Sequence, residues 1–246
     1  MTKKQIETVL KEIFDPFVLG DEVPMHKLNK GPSFIEIEQL AKLIVIDKSE
    51  ESFQVFLQEN PHFLFRLAPS TDDTNIGFLS KPPISNFNVA DFVIFSFSQG
   101  GARMFLIEIE RPNDKLFTKK LTPAAKLQTA LGQIHDWDEW IKNNKQTFLN
   151  TSLRILKETP QYPKKTKNGS FTYWTKHQIE ALWQGFGGND YCTFQYLVII
   201  GRWSKLSEKE KKRLMYLNQT YENQNIRIRT YDNFIRRAIE GPKYFW

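Results

Sequence analysis

The chain has 246 residues, 40% hydrophobic and 25% charged, which suffices for a real core in one large domain or in a core domain with an N-terminal extension. A formal charge of +6 and a pI near 9.2 favour an anionic partner such as nucleic acid, although the excess is mild. The single Cys192 excludes an internal disulfide framework and makes a zinc site a poor fit, leaving a small buried hydrophobe in a reducing cytosol.

The start, Met1 to Glu7, lacks the apolar stretch of a signal peptide, and no apolar run approaches a membrane span. A soluble cytoplasmic protein with no membrane partner is therefore expected. Residues 3–14 carry Ile6, Leu10 and Ile13-Phe14 at helical spacing, followed by a loop marked by Gly20, Pro24 and Gly31-Pro32. A helical region runs from about Ile35 to Phe65 with Phe53, Phe56 and Leu57 on its apolar stripe, interrupted at Asn60-Pro61. Residues 66–88 read as loop, with one short strand around Ile76–Leu79.

Val89–Phe97 reads as a strand, Ser98-Gln99-Gly100-Gly101 as a tight turn, and Arg103–Glu110 as the returning strand, which Pro112 ends. After Pro123, the residues Leu127, Leu131, Ile134 and Ile141 mark one face of a helix ending near Asn143-Asn144. Residues 157–190, with Lys164-Lys165-Thr166-Lys167 and Gly185-Phe186-Gly187-Gly188, read as an exposed insertion. Phe194–Ile200 is a buried strand, and Ser207 with Glu210 forms a capping box for the next helix. A short strand at Ile226–Thr230 and a helix from Asp232 to about Ile239 close the chain. The order predicts an α/β fold, a sheet sandwiched by helices.

The most informative residues are Asp91, Glu108 and Glu110, which sit at the ends of two adjacent strands that otherwise read as buried. Buried carboxylates need a partner. Alternation projects Glu108 and Glu110 from one face, roughly 6.5–7 Å apart, and the hairpin register sets Asp91 across from them. Carboxylates brought this close bind metal, pair with cations or stay protonated. Oxygen-only ligands suit Mg²⁺ or Mn²⁺, which points to metal-assisted hydrolysis. The competing reading puts both glutamates on an exposed edge, paired with Arg103, Arg111 or nearby lysines; on chemistry alone the two readings are even.

At these residues the chain resembles the PD-(D/E)XK nucleases, and more specifically the Shedu anti-phage defence nucleases. The matching stretches are Phe56–Pro61, Ala90-Asp91-Phe92, Ile107–Pro112 with Leu116-Phe117-Thr118, Ala130–Trp137, Val198–Arg202 and Thr230-Tyr231-Asp232, in the expected order. The resemblance implies a restriction-endonuclease-like mixed central sheet flanked by helices, over residues 49–246, behind an N-terminal helical extension of residues 1–48. It also implies a metal-dependent endonuclease that hydrolyses DNA with Mg²⁺ or Mn²⁺, in defence against phage. Asp91 and Glu108 would be metal ligands, with the Ile109 carbonyl a third. Glu110 stands where the broader signature has lysine; there it could act as general base or ligand of a second metal. Lys119 or Lys120 could then supply the missing charge. Gln133 would sit beside the active site, and the same glutamine also reads as a helix-surface amide sharing a face with Trp137.

Other features carry paired readings. Glu50 and Glu51 open a helix where negative charge complements the dipole, with a supporting metal role as the alternative. His135 reads as solvated. DNA contacts are expected from Lys119, Lys120, Arg227 and Arg229, while Lys209, Lys211, Lys212 and Arg213 are interleaved with acids, and Arg236 and Arg237 lie near the end of the chain. Tyr173, Trp174 and Trp183 could stack on bases, but core or oligomer packing is the favoured reading. No Gly-x4-Gly-Lys loop is present, so ATP use is not expected. The expected partners are DNA, a phage-derived trigger and further copies of the chain in a homo-oligomer. The alternative function is a degenerate nuclease fold that binds DNA or a phage protein without cutting.

Overall fold

The computed structural model describes residues 32–46, 49–65, 76–98, 101–158, 180–181, 183–184 and 191–240. The helix expected at 3–14, most of the insertion, and Lys164, Lys165, Lys167, Tyr173 and Trp174 lie outside the described residues.

Three helices come first: α1 (Phe34–Ile46), α2 (Glu50–Glu59) and α3 (His62–Phe65). Ser33 starts α1 by exchanging hydrogen bonds with Glu36, its backbone N–H and its hydroxyl donating to Glu36 Oε2 at 2.6 and 2.9 Å. The expected break at Asn60-Pro61 is present: Asn60 leaves helical geometry at φ −128°, and its side-chain amide returns to the Phe56 carbonyl at 2.9 Å.

Five strands form one sheet in the order β1 (Ile76–Ser80), β2 (Phe92–Ser98), β3 (Gly101–Ile109), β4 (Thr193–Ile199), β5 (Ile226–Arg229). β1, β2 and β3 are antiparallel neighbours, whereas β4 joins β3 and β5 joins β4 in parallel. The hairpin register is the one the turn dictates, with Ser98 opposite Gly101 and Phe92 opposite Ile107. Helix α4 (Ala125–Glu158) links β3 to β4, and α5 (Glu208–Tyr221) links β4 to β5, before α6 (Tyr231–Glu240) closes the described chain. Both parallel steps move the same way across the sheet, so right-handed crossovers place α4 and α5 on one face.

Strand alternation divides the interior in two. Val93, Phe95, Met104, Leu106, Val198 and Ile228 pack with Leu127, Leu131 and Ile134 of α4 and Leu214 and Leu217 of α5. Ile94, Phe105, Ile107, Ile109 and Ile199 pack instead with residues of α1, α2, α3 and α6. The result is a mixed α/β fold, a five-stranded sheet between two helical layers. β3 lies at its centre and is buried on both faces, as expected from the sequence, where both hairpin strands read as buried. Among the described residues, no helix is long and apolar enough to cross a membrane.

One boundary differs from expectation. The helix does depart from helical geometry at Asn144 (φ −131°, ψ 29°), but it resumes and runs on to Glu158. Asn144 donates its amide to the Trp140 carbonyl at 2.9 Å, the local competition that short polar side chains offer a helix. Phe148, Leu149 and Leu156 beyond the kink are buried, so continued apolar contact holds the second segment in place. At the next helix, the Ser207–Glu210 capping box forms as expected.

The end of β4 is under tight steric control. Gly201 has φ 65°, and a Cβ there would meet Leu116 Cδ1 at 2.1 Å and the Asp114 carbonyl oxygen at 2.9 Å. Immediately after it, buried Arg202 donates to Asp232 at 3.0 Å, and Tyr231 N–H donates to the Gly201 carbonyl at 3.0 Å. The matching stretches around residues 201 and 231 are thus partners that tie the exit of β4 to α6. Gly201→Ala is expected to lower stability by about 1–3 kcal/mol through the left-handed backbone and the overlap. Urea denaturation checks this, and a loss below about 0.5 kcal/mol would contradict the close approach.

Candidate functional site

Asp91 immediately precedes β2, on the face that Val93 and Phe95 share, and it lies beside the end of β3. Glu108 and Glu110 follow Leu106 on that same face by alternation. Neither glutamate is on an exposed edge: Asp91 is 3% exposed, Glu108 7% and Glu110 3%. Arg103 lies toward the far end of β3 and, by alternation, on its opposite face. Arg111 pairs with Asp114 at 2.9 Å. The exposed-edge placement therefore does not hold, although Glu110 does pair with a nearby lysine, Lys126, as that reading allowed. The cluster sits at the C-terminal ends of the parallel strands β3 and β4, where open α/β sheets place ligands.

Each carboxylate has a different environment. Asp91 Oδ2 accepts the Ile109 N–H at 2.7 Å, and Oδ1 pairs with the Lys81 ammonium. The backbone around it is equally engaged: its carbonyl accepts the Lys81 N–H at 2.8 Å and the Gln54 amide at 3.1 Å. Lys81 takes a left-handed backbone, φ 51°, in a loop pinned by the Pro83–Val89 bridge. Glu110 Oε2 lies 3.0 Å from Lys126 Nζ, yet off the hydrogen-bonding direction; the contact is an ion pair. Among the described residues, no hydrogen bond or ion pair engages the Glu108 carboxylate.

The charges follow from these surroundings. Burial pushes the Glu108 carboxyl up to about 9, with the negative charges of Asp91, Glu50 and Glu110 adding to it and Lys81 opposing. Burial also raises Glu110, and Lys126 opposes that rise. Tyr231, fully buried and edge-on to Phe53 with centroids 5.3 Å apart, is held well above its ordinary value by burial and by Asp91, Glu50, Glu110 and Asp114. Glu50, at the first position of α2, therefore belongs to the electrostatic cluster as well as to its helix end. The sequence signals for Lys81 and Lys126 were absent, because one lies in a loop ten residues before Asp91 and the other in the first turn of a helix.

The remaining expected residues are more dispersed. Lys119 and Lys120 are exposed and make no ion pair with the carboxylates. Gln133 is half-buried on α4, seven residues past Lys126, with no hydrogen bond to the carboxylates. His135 is exposed and lies 3.1 Å from Gln224. Arg227 and Arg229 share a face of β5, but Ile228 lies on the α4 side, so both arginines project from the face opposite Glu108. Arg227 pairs with Glu222 at 3.4 Å. Lys211 pairs with Glu208 at 2.7 Å, and Arg213 donates to the Leu121 carbonyl at 3.2 Å. Trp183 is buried in the core, and burial pushes the Cys192 thiol up to about 12.

The fit to a divalent cation is chemical before it is geometric. Among the described residues, no three His, Cys, Asp or Glu side chains are gathered as a ligand set. The reason is visible: Lys81 holds one Asp91 oxygen and Lys126 draws on Glu110. The donors themselves, two buried carboxyl groups side by side, are those a hard cation requires.

A family model described as Shedu protein SduA, C-terminal, matches residues 47–235. No match was found among curated proteins.

The Glu108 shift has a consequence for stability. Its folded value of about 9 exceeds the ordinary 4.5, so between those pH values the folded state holds a proton that the unfolded chain has released. Stability therefore falls as pH rises through this window, by up to about 1.4 kcal/mol per pH unit. Glu108→Gln is expected to flatten that fall in metal-free buffer. Urea midpoints at pH 5, 7 and 9 check it, and parallel curves for the two proteins would contradict it.

Proposed function

From the premise that the chain belongs to the Shedu protein SduA C-terminal family, we propose that its buried carboxylate cluster is the centre of a metal-dependent DNA endonuclease. Membership implies a role in defence against phage. The observation that carries the finer reading is Glu108: a buried carboxyl with no hydrogen-bond or ion-pair partner among the described residues, beside an Asp91 locked in place by the Ile109 N–H. Leaving such a group unpaired costs stability, and a bound cation would repay it. The helix–sheet–helix layering supports a restriction-endonuclease-like core.

In this reading Asp91 and Glu108 hold Mg²⁺ or Mn²⁺, with the Ile109 carbonyl as a further ligand. The bound ion supplies charge stabilisation on the transferring phosphoryl group and lowers the pKa of the attacking water. The chain's own residues do the rest. The Ile109 N–H fixes the orientation of Asp91, Gln54 holds the backbone carbonyl of Asp91, and the Lys81 ammonium pairs with Asp91 until a ligand displaces it. Glu108 has to lose its proton for the site to load. The second reading, a nuclease fold that binds DNA without cutting, is favoured by Glu110 in place of lysine and by the absence of a gathered ligand set among the described residues.

Incubating supercoiled DNA with the protein and Mg²⁺ or Mn²⁺ is expected to give nicked or linear product. Asp91→Ala and Glu108→Ala should each lower the rate by about 100-fold or more while circular dichroism stays that of the folded chain. Cleavage that survives both substitutions would overturn the proposal, and DNA binding without Mn²⁺ binding would establish the non-cutting module. Lys81→Met should tighten Mn²⁺ binding by about tenfold, as measured by calorimetry. Unchanged affinity would show that Lys81 does not compete for Asp91.

A further inference from the structure

We infer that Lys126, held over the carboxylate cluster by Glu110, is the cationic residue that contacts the substrate phosphate. The inference rests on the nuclease-site reading above and adds to it the residue that gives an all-acidic site affinity for a polyanion. Asp91, Glu110, Glu50 and Asp114 bring negative charge to the cluster, which repels phosphodiesters. Among the described residues, the cations paired directly with Asp91 and Glu110 are Lys81 and Lys126.

Three observations support Lys126 in this role. First, Lys126 lies 3.0 Å from the end of the residue 110 side chain, on the strand face that carries Glu108. Its ammonium thus stands beside the point reached by the side chain two residues beyond Glu108. Second, the Lys126 side chain is 52% exposed, as is that of Lys81, while Glu110 is 4% exposed. An ammonium has three donors, and one contact with Glu110 leaves others facing outward. Lys81 is engaged instead with the oxygen that the metal reading assigns to an ion.

Third, Lys126 is in the first turn of α4, which contains no acidic residue. A cation there opposes the helix dipole, and an ion pair with an exposed partner contributes little to stability. A local rule broken at this cost is accounted for by a role at the site. Glu110 is then a tether: it anchors the lysine stem so that the charge is already in place when a phosphate arrives. The negative charges of Glu110, Glu50 and Asp114 keep the Lys126 ammonium protonated. The competing structural account is that Lys126 only neutralises Glu110, and it makes a different prediction for DNA.

A phosphate contact changes the salt dependence of binding, whereas a purely structural ion pair does not. The test measures full-length protein binding to a fluorescent DNA duplex by anisotropy in EDTA across a salt series, for wild type, Lys126→Met and Lys126→Arg. For Lys126→Met the slope of log affinity against log salt should shrink by about 0.9, the value for one phosphate contact, with affinity at least about threefold weaker. Lys126→Arg should keep the slope.

In parallel, Lys126→Met should lower the Mn²⁺-dependent kcat by about tenfold or more, and the exchange Glu110→Lys with Lys126→Glu should recover most of it. If Lys126→Met fails to fold, Glu110→Gln with Lys126→Met removes both charges together and should show the same loss of slope. An unchanged slope in a folded variant overturns the inference, even if wild type cleaves. A reduced slope with no cleavage by wild type upholds the contact and overturns the nuclease reading. Absence of measurable DNA affinity in wild type overturns both.

Discussion

The site depends on one short bond between distant parts of the chain, the Ile109 N–H donating to Asp91 Oδ2 at 2.7 Å. It joins the residue before β2 to the last residue of β3, at the point where the hairpin ladder has run out. A buried carboxylate cannot be left alone, so this bond and the Lys81 contact together make Asp91 tolerable in the interior. They also define its direction. With Asp91 committed on one side, Glu108 next to it has no hydrogen-bond or ion-pair partner among the described residues, and burial pushes it up to about 9. The raised Glu108 carboxyl is thus mainly a consequence of burial, with the neighbouring carboxylates adding to it.

The sheet explains why these groups share a face. β3 is flanked on both sides and buried on both faces, so every second residue must be either core or site. Met104 and Leu106 fill the α4 layer, and Glu108 and Glu110 continue the same row beyond the point where α4 begins to cover it. The same alternation sends Ile107 and Ile109 into the opposite layer, where they anchor the strand against α2 and α6. Arg227 and Arg229 obey it too, which is why they emerge on the side away from the carboxylates. Gly201, Arg202 and Asp232 hold the neighbouring strand end steady, a buried brace whose value is positional; such a pair is weak evidence for net stability.

Much of this was legible in the sequence, and the parts that were not have a physical reason. Strand alternation and the turn after Ser98 set the hairpin register and placed Asp91 beside Glu108 and Glu110. The apolar runs at β4 and the Ser207 capping box placed the following elements within a residue or two. The continuation of α4 past Asn144 was missed because a local side-chain hydrogen bond imitates a helix end while distant core contacts sustain the helix. The two lysines were missed for a similar reason. Lys81 reaches Asp91 through a loop with a left-handed turn, and Lys126 reaches Glu110 from a helix start, so neither contact leaves a spacing to read. Local sequence placed the acids; only the folded chain shows what balances them.

The divalent-metal site proposed at Asp91 and Glu108 is open to direct observation. The most direct measurement is anomalous scattering from crystals of the protein soaked in Mn²⁺. The account predicts a peak between Asp91 and Glu108, with the Lys81 ammonium moved off Asp91, and no such peak in Asp91→Ala crystals soaked alike. A wild-type crystal with no Mn²⁺ at that position, or with Lys81 still seated on Asp91 and the ion bound elsewhere, would contradict it.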